Sequence, residues 1–329
     1  MMVVCKNIRK NGYPLRIGAG CDKFQFSWPL HDFSLSTESV VIGAPIYAPQ
    51  LIEVDVHSPA SIVVDKRMSV VSRWRNLVIE TEPSWRMPQT FKLIAEGLEI
   101  FPLALSFGDK KFQEALESII TDRKTTQNSV EDQVSLENAD DMTVLSLNQK
   151  SPLPKIMAEF VRFDFKNEKN DLLGHVAFDS IDLSAFMAHS FVDFPKINGN
   201  LTWIFKDMSN LFDANGKNGW KQRLYGKSGT LKRGELMFHT GGALRVSGPF
   251  SFDDEGYLTA KFELAFVQHT EFVTTMQHLF PKQANNLQVL FFILSSMPKN
   301  ADNHPVLPLL ITHGWVNLGF LKLGRLAPL

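Results

Sequence analysis

The residues with the clearest chemical potential in this chain are two cysteines near its start. Cys5 and Cys21 are the only cysteines in the sequence. As a pair they would form one structural disulfide, which is typical of proteins from an oxidising compartment. As free thiols, either one could serve as a nucleophile if it were accessible. A predicted strand over residues 12–17 separates them, and this arrangement favours the disulfide over catalysis.

The start of the chain conflicts with an oxidising compartment. The residues before Cys5, Met1-Met2-Val3-Val4, are too few to form a signal peptide. Either the protein is cytosolic, or the sequence begins inside a longer one. We expect the second case, in which an apolar leader or anchor lies upstream.

Residues able to support catalysis or bind a metal are not clustered in the sequence. The nine histidines are scattered, and none belongs to an HExxH or His-x-His motif. No GxSxG sequence would expose a nucleophilic serine, and the glycine-rich stretches lack phosphate-loop spacing. We therefore expect no metal, no cofactor and no enzymatic activity. An enzyme stays only as the third functional alternative, after the two given below.

Charge and composition exclude one class of partner and indicate a large core. Lys and Arg number 34 and Asp and Glu 35, so the net charge of −1 predicts no nucleic-acid partner. The chain has 26 Phe and only 4 Tyr. Because a Phe ring has no polar group that needs a partner, we expect most of these rings in a core.

Alternation of apolar and polar residues predicts antiparallel strands with one buried face. Val161, Phe163 and Phe165 alternate with charged residues, and the longest such stretch extends over residues 258–266. Asp254-Glu255-Gly256 predicts a hairpin turn between strands at 243–252 and 257–268. Two further pairs predict turns, namely Asn198-Gly199 and Gly241-Gly242.

Helices are few in the predicted structure. An apolar stripe with helical spacing predicts one helix over residues 112–120. A second begins after Thr270 as its N-cap and ends before Pro281. A third is predicted over residues 283–297, where the apolar run 287–294 is either enclosed or presented to something else.

The chain divides into two β-rich units at a polar segment. Residues 121–156 contain no Gly and no aromatic residue, which is typical of a linker or a long surface excursion. We therefore predict an N-terminal β-rich unit, 1–120, that ends in a helix. The C-terminal β-rich unit, 157–329, has its helices near 270–297. The fold class is α+β, with mostly antiparallel, strongly curved sheet and a few packed helices.

Short motifs at both ends resemble a known family, the bacterial domain of unknown function 2125, found mainly in alphaproteobacteria. The N-terminal match consists of Cys5, then Gly12-Tyr13-Pro14-Leu15-Arg16-Ile17, with Leu15 where the family favours Phe, then Cys21-Asp22. The C-terminal match consists of Gly242-Ala243-Leu244-Arg245-Val246-Ser247-Gly248, residues 254–257, Pro308-Leu309-Leu310, Leu318-Gly319 and residues 323–329.

The resemblance has implications for location more than for chemistry. It implies a periplasmic β-rich body, anchored to the inner membrane through an N-terminal segment that this chain does not contain. It also implies a distant similarity to AsmA-like envelope proteins, whose curved sheets are thought to shield lipid chains in transit.

These observations lead to a functional hypothesis with one main alternative. We expect a non-enzymatic periplasmic protein whose apolar groove serves envelope lipid handling or outer-membrane assembly. The alternative is a structural or scaffold protein that binds another envelope protein through an edge strand or the 121–156 excursion. A half-buried, Phe-rich sheet also fits an ordinary core covered by helices. The candidate residues for an apolar ligand are Trp203, Phe262, Phe266, Phe291, Phe292 and Trp315.

Overall fold

The computed structural model of this chain is dominated by antiparallel β-sheet. It describes residues 2–12, 14–28, 33–64, 68–83, 88–104, 155–184, 194–208, 221–281, 284–319 and 321–329. The helix expected at 112–120 and nearly all of the 121–156 excursion lie outside these residues.

Seventeen strands belong to one sheet. They are β1 (Met2–Asn11), β2 (Arg16–Trp28), β3 (Phe33–Pro45), β4 (Ile52–Val56), β5 (Ala60–Val64), β6 (Met68–Arg73), β7 (Asn76–Glu82), β8 (Thr90–Ala104), β9 (Ile156–Glu168), β10 (Asp171–Ile181), β11 (Ile197–Phe205), β12 (Ser228–Phe238), β13 (Ala243–Phe252), β14 (Leu258–Val267), β15 (Val306–Thr312), β16 (Trp315–Leu318) and β17 (Leu321–Arg325).

Each strand pairs with its neighbour in the chain over most of the sheet, and every pairing is antiparallel. The exception is a fork. One half of β3 pairs with β4, which pairs with β7. The other half of β3 pairs with β5, which pairs with β6. β7 and β6 then pair with the two halves of β8, where the two branches meet again. β8 belongs to the first predicted unit and β9 to the second, and the two strands pair with each other. The division into two units stays a prediction.

Two α-helices follow β14, namely α1 (His269–Leu279) and α2 (Ala284–Ser296), and a short 3₁₀ turn occupies Gln222–Leu224. The two helices and the stop before Pro281 are confirmed. The N-cap is not Thr270 but Gln268, whose backbone is left-handed at φ 48°. The carbonyl of Thr270 instead accepts a hydrogen bond from Thr274.

The hairpin of β13 and β14 agrees with its prediction, and so does the turn at Gly241-Gly242. Two local predictions are wrong. Asn198-Gly199 lies inside β11, because the ring of Phe178 packs over Gly199 where a turn would leave open space. In place of the strand expected at residues 12–17, Pro14 and Leu15 lie in a turn and β2 begins at Arg16, because Gly12 has φ +88° and Pro14 cannot donate to a ladder.

Candidate functional site

An unbroken apolar row crosses most of the sheet. Each member lies directly opposite the next on the neighbouring strand, so all share one face. We call this set the central row. It runs through Ala19, Ile42, Val54, Ile79, Leu93, Phe163, Val176, Leu201, Gly234, Val246, Leu264 and Leu307.

The next row along the strands is polar, so the sheet has two contrasting faces. Adjacent residues of a strand point to opposite sides. Ion pairs join several members of this polar row, such as Lys92 with Glu80 at 2.9 Å and His175 with Asp164 at 3.0 Å. The polar row runs through Glu53, Glu80, Lys92, Asp164, His175, Thr202 and Arg233.

Most of the central row is partly accessible rather than enclosed. Leu201, near its middle, is 39% exposed, and Ile42 is 43% exposed. At the far end Leu307 is only 6% exposed. Single exposed apolar side chains are common, but a contiguous row of them forms an exposed apolar patch. The row is therefore an apolar surface that a ligand could cover.

Glycines let aromatic rings lie flat across this face. A Cβ on Gly174 would lie 2.2 Å from the indole of Trp203, and one on Gly199 would lie 2.1 Å from the ring of Phe178. Phe91 and Phe165 are stacked with centroids 5.2 Å apart. The floor beside the central row is thus made largely of ring faces, which provide apolar contact.

The two margins of this face are covered in the C-terminal part of the sheet. Along one margin α1 and α2 pack on the strands, with Phe272 and Leu294 buried in a cluster that includes Phe238 and Phe266. Along the other margin the chain end returns, and Leu329 packs on a cluster built around Leu172, Met208 and Leu224. The amide of Leu329 donates to the carbonyl of Gly256, at 3.1 Å. The accessible part of the central row lies between these margins.

The predicted ligand-binding residues are not all in one place. Trp203 lies on β11, two positions from Leu201, and Phe262 lies opposite Leu309 on the face of the central row. Phe266 is 6% exposed and packs on Phe272, at 5.4 Å between centroids, so it belongs to the closed core.

The remaining predicted residues lie at exposed positions or outside the described side chains. Phe292 on α2 is 63% exposed, and Trp315 on β16 is 54% exposed beneath the guanidinium of Arg325. Phe291 lies in α2, but its side chain is not among those described. Sequence analysis missed Leu201, Val246 and the rest of the central row, since only the pairing of distant strands brings them together.

The two cysteines lie on adjacent strands, Cys5 on β1 and Cys21 on β2. Their Sγ atoms are 2.05 Å apart, at disulfide distance. Cys21 is 8% exposed and lies opposite Val40, so the pair sits beside a small core around Val40, Val56 and Trp74. A bonded pair has no thiol available as a nucleophile, and this agrees with the structural role.

A cavity of about 470 Å³ opens near that core. It is lined by polar and apolar groups, among them Arg16, Ile42, His57 and Trp74. The guanidinium of Arg16 pairs with Asp55 at 2.9 Å and Glu53 at 3.4 Å, reaching across Gly43, where a Cβ would lie 2.6 Å from its Nε. Arg16 and Arg75 line the cavity together with Asp55, and Glu53 pairs with Arg16, so two basic and two acidic groups leave little net charge to attract an ionic ligand.

Glu235 forms the most buried ion cluster on the polar face, with its side chain 5% exposed. Arg245 on β13 donates to it at 2.7 Å, and Arg233 also donates to it. Burial raises the pKa of this carboxyl, but the hydrogen bonds from Arg245 and Arg233 outweigh burial, so the pKa of Glu235 lies below its ordinary 4.5.

This cluster predicts a pH-dependent contribution to stability. A lowered pKa in the folded state stabilises the protein above the ordinary pKa, and the contribution disappears as the pH falls through the folded value. Glu235→Gln should cost about 2 kcal/mol at pH 7, since charged hydrogen bonds are lost. Below pH 4.5 the difference from the unchanged protein should shrink. Urea unfolding at several pH values measures this, and a difference independent of pH would contradict it.

No group of His, Cys, Asp and Glu side chains in the described part of the chain could hold a metal ion. The same residues include no helix long and apolar enough to cross a membrane.

Comparison with known proteins identifies the family. Residues 1–327 match the family described as uncharacterized protein conserved in bacteria (DUF2125). The chain belongs to the DUF2125 family. No curated protein matches the chain, and no solved structure does.

The motifs that resemble this DUF2125 family mark structural positions. The first includes the β1–β2 turn and Arg16, whose ion pairs reach β4. The second runs from Gly242, packed against α1, to Gly248, where a Cβ would lie 2.1 Å from the carbonyl oxygen of Lys261. The third is the returning chain end. Gly242 and the returning chain end thus lie at the two covered margins of the apolar face.

Proposed function

We propose that this DUF2125 protein is a non-enzymatic periplasmic protein that holds an apolar ligand, a lipid chain, on the central row. The sheet is strongly curved, so that its apolar face forms a groove. Its role is envelope lipid handling or outer-membrane assembly. The observation that carries the proposal is the central row itself, which is apolar at every strand it crosses and partly open to solvent over most of its length.

The chemistry of the face supports a lipid chain over a polar small molecule. Leu201, Val176 and Val246 meet across strands without a polar side chain among them. Burying apolar area releases about 25 cal/mol for each Å² removed from water. A long hydrocarbon chain can cover many such positions in succession, whereas a compact polar ligand would find no hydrogen-bond partners among these side chains.

The compartment is proposed on separate grounds. A cysteine pair at disulfide distance is compatible with an oxidising environment. In bacteria the periplasm is such an environment, and the chain belongs to a bacterial family, so we propose the periplasm as its location. We propose that an N-terminal segment outside this sequence anchors the protein to the inner membrane.

Lipid extraction followed by mass spectrometry tests the proposed ligand. Protein purified from bacterial cells should contain lipid that gel filtration does not remove. Leu201→Arg places a charge in the middle of the central row and should lower the retained lipid about tenfold, the effect of about 1.4 kcal/mol in binding. Because Leu201 is already 39% exposed, the variant should fold.

Met237→Arg is the matched control. Met237 is 38% exposed, on the neighbouring strand β12, but on the opposite face to Leu236 and Phe238. It should retain as much lipid as the unchanged protein. If the unchanged protein retains no lipid, or if Leu201→Arg and Met237→Arg lose lipid equally, the central row is not the binding surface.

A scaffold role is the second candidate, favoured by the sheet edges. β1 is ten residues long, and among the described strands it pairs with β2 alone. An open edge of this length can accept a strand from another protein. Crosslinking in cells separates the two roles, since a stoichiometric protein partner on β1 together with an absence of lipid would favour the scaffold.

A further inference from the structure

The central row opens at its N-terminal end into a patch of exposed apolar side chains. Ile42, the second member of the row, belongs to this patch. We define the tip patch by its five members and their exposures, which are Leu15 71%, Ile17 72%, Ile42 43%, Ile46 52% and Tyr47 83%. Large apolar side chains rarely cluster at such exposure unless a partner covers them.

The members of the tip patch are neighbours in space. The amide of Ile46 donates to the carbonyl of Leu15 at 3.1 Å. Ile17 lies opposite Ala44, and Ile42 lies opposite Ala19, so the side chains follow one face of β2 and β3. The tip patch is therefore the end of the same apolar face that carries the central row.

One exposed basic side chain lies on the same face as the tip patch. Residues 1–21 contain four basic residues, Lys6, Arg9, Lys10 and Arg16, and no Asp or Glu. Arg9 pairs with Asp22, and Arg16 pairs with Asp55 and Glu53. Lys6 lies opposite Asp22 and therefore on the polar face, whereas the exposed Lys10 lies opposite Ala19, the first member of the central row.

We propose that the tip patch, together with Lys10, docks onto the surface of an anionic lipid bilayer. Exposed aliphatic side chains and a Tyr beside an exposed lysine form a combination that binds the membrane interface. The inference deepens the proposed function and rests on it in one respect: the central row would receive its apolar chain from this bilayer. The opposite end, at Leu307, is covered by α1 and α2, so docking there would not expose the row.

Vesicle co-sedimentation tests the docking. Vesicles of phosphatidylethanolamine and phosphatidylglycerol should sediment the unchanged protein, and vesicles of phosphatidylcholine alone should sediment much less of it. Lys10→Gln should weaken binding to the anionic vesicles about fivefold, from the contribution of one lysine near a charged surface, whereas Lys6→Gln, on the other face, should leave binding unchanged. The triple variant Leu15→Ser, Ile17→Ser, Tyr47→Ser should weaken binding by at least as much as Lys10→Gln. Circular dichroism and urea unfolding check that the variants fold.

Val289→Ser with Phe292→Ser is the matched control. These side chains on α2 are 58% and 63% exposed, so the substitutions remove comparable apolar surface far along the chain from the tip patch. This variant should bind vesicles as the unchanged protein does. If it loses binding while the tip variants keep it, the membrane contact is on α2 and the proposal is wrong. Light scattering that shows the tip patch buried between two copies of the chain would also overturn it.

Docking and ligand binding can fail separately. Leu201→Arg alters the central row but not the tip patch, and it should still bind anionic vesicles. If the unchanged protein retains extractable lipid but does not bind vesicles, the docking is wrong and the proposed function stands. If it binds vesicles through the tip patch but never retains lipid, the docking stands and the proposed function fails.

Discussion

Gly242→Ala should destabilise the protein by about 4 kcal/mol, combining backbone strain with a steric clash. Gly242 has φ +82°, a conformation that an L side chain rarely adopts. A Cβ there would also lie 2.4 Å from the backbone nitrogen and Cα of Phe272 in α1. Since Phe272 anchors α1 against Phe238 and Phe266, the helix must move away from the sheet.

Gly324→Ala is the control that separates the two costs. Gly324 has φ +139°, but a Cβ there would meet no atom within 4 Å. It should therefore cost about 1 kcal/mol from strain alone. Urea unfolding followed by circular dichroism gives both values, and protease sensitivity of α1 reports whether the helix has detached. If the two substitutions cost the same, α1 does not depend on the close approach at Gly242.

Removing the cysteine pair should cost about 3 kcal/mol in the chain-entropy model, because the bond closes a loop of this length in the unfolded chain. The variant Cys5→Ala with Cys21→Ala removes the bond. Urea unfolding under non-reducing conditions measures the loss. The effect should be largest near β1, which otherwise depends on its pairing with β2 alone among the described strands.

Reduction separates the bond from the side chains. A reducing agent should destabilise the unchanged protein and leave the double alanine variant unaffected. If the double alanine variant is less stable than the reduced unchanged protein, the difference measures the truncation of Cys21, which is 8% exposed. Non-reducing peptide mapping should recover Cys5 linked to Cys21. Two freely alkylated thiols in protein from an oxidising compartment would contradict both the bond and the proposed location.

Local patterns predicted the local elements well. The hairpin of β13 and β14 follows from alternation that ends at Asp254-Glu255-Gly256, and α2 follows from an apolar run of helical length. Each of these signals is complete within about twenty residues. One error occurred where a distant residue decided the conformation. Asn198-Gly199 is extended because Phe178, from another strand, occupies the space above the glycine.

The candidate site could not be predicted in the same way. Leu201 and Val246 are ordinary alternating residues in their own strands, and only the register on both sides of Gly234 aligns them. The prediction relied instead on the size of aromatic residues. That choice included Trp203, beside the row, but also Phe266, which the helices cover. Residue type indicated an apolar face, whereas strand pairing determines which part of it is open.

The order of strands in the sheet also has a consequence for how the chain reaches its fold. From β9 to β17 every strand pairs with the one made just before it, so each new strand can add to an existing edge. Pairing between chain neighbours shortens the loops that must close and speeds assembly. The fork is the exception. The pairing of β3 is complete only when both β4 and β5 are in place, and that of β8 only when both β6 and β7 are in place. We therefore expect the slow step of folding in the N-terminal third and in its joining to β9, with the remainder growing from β9 onward.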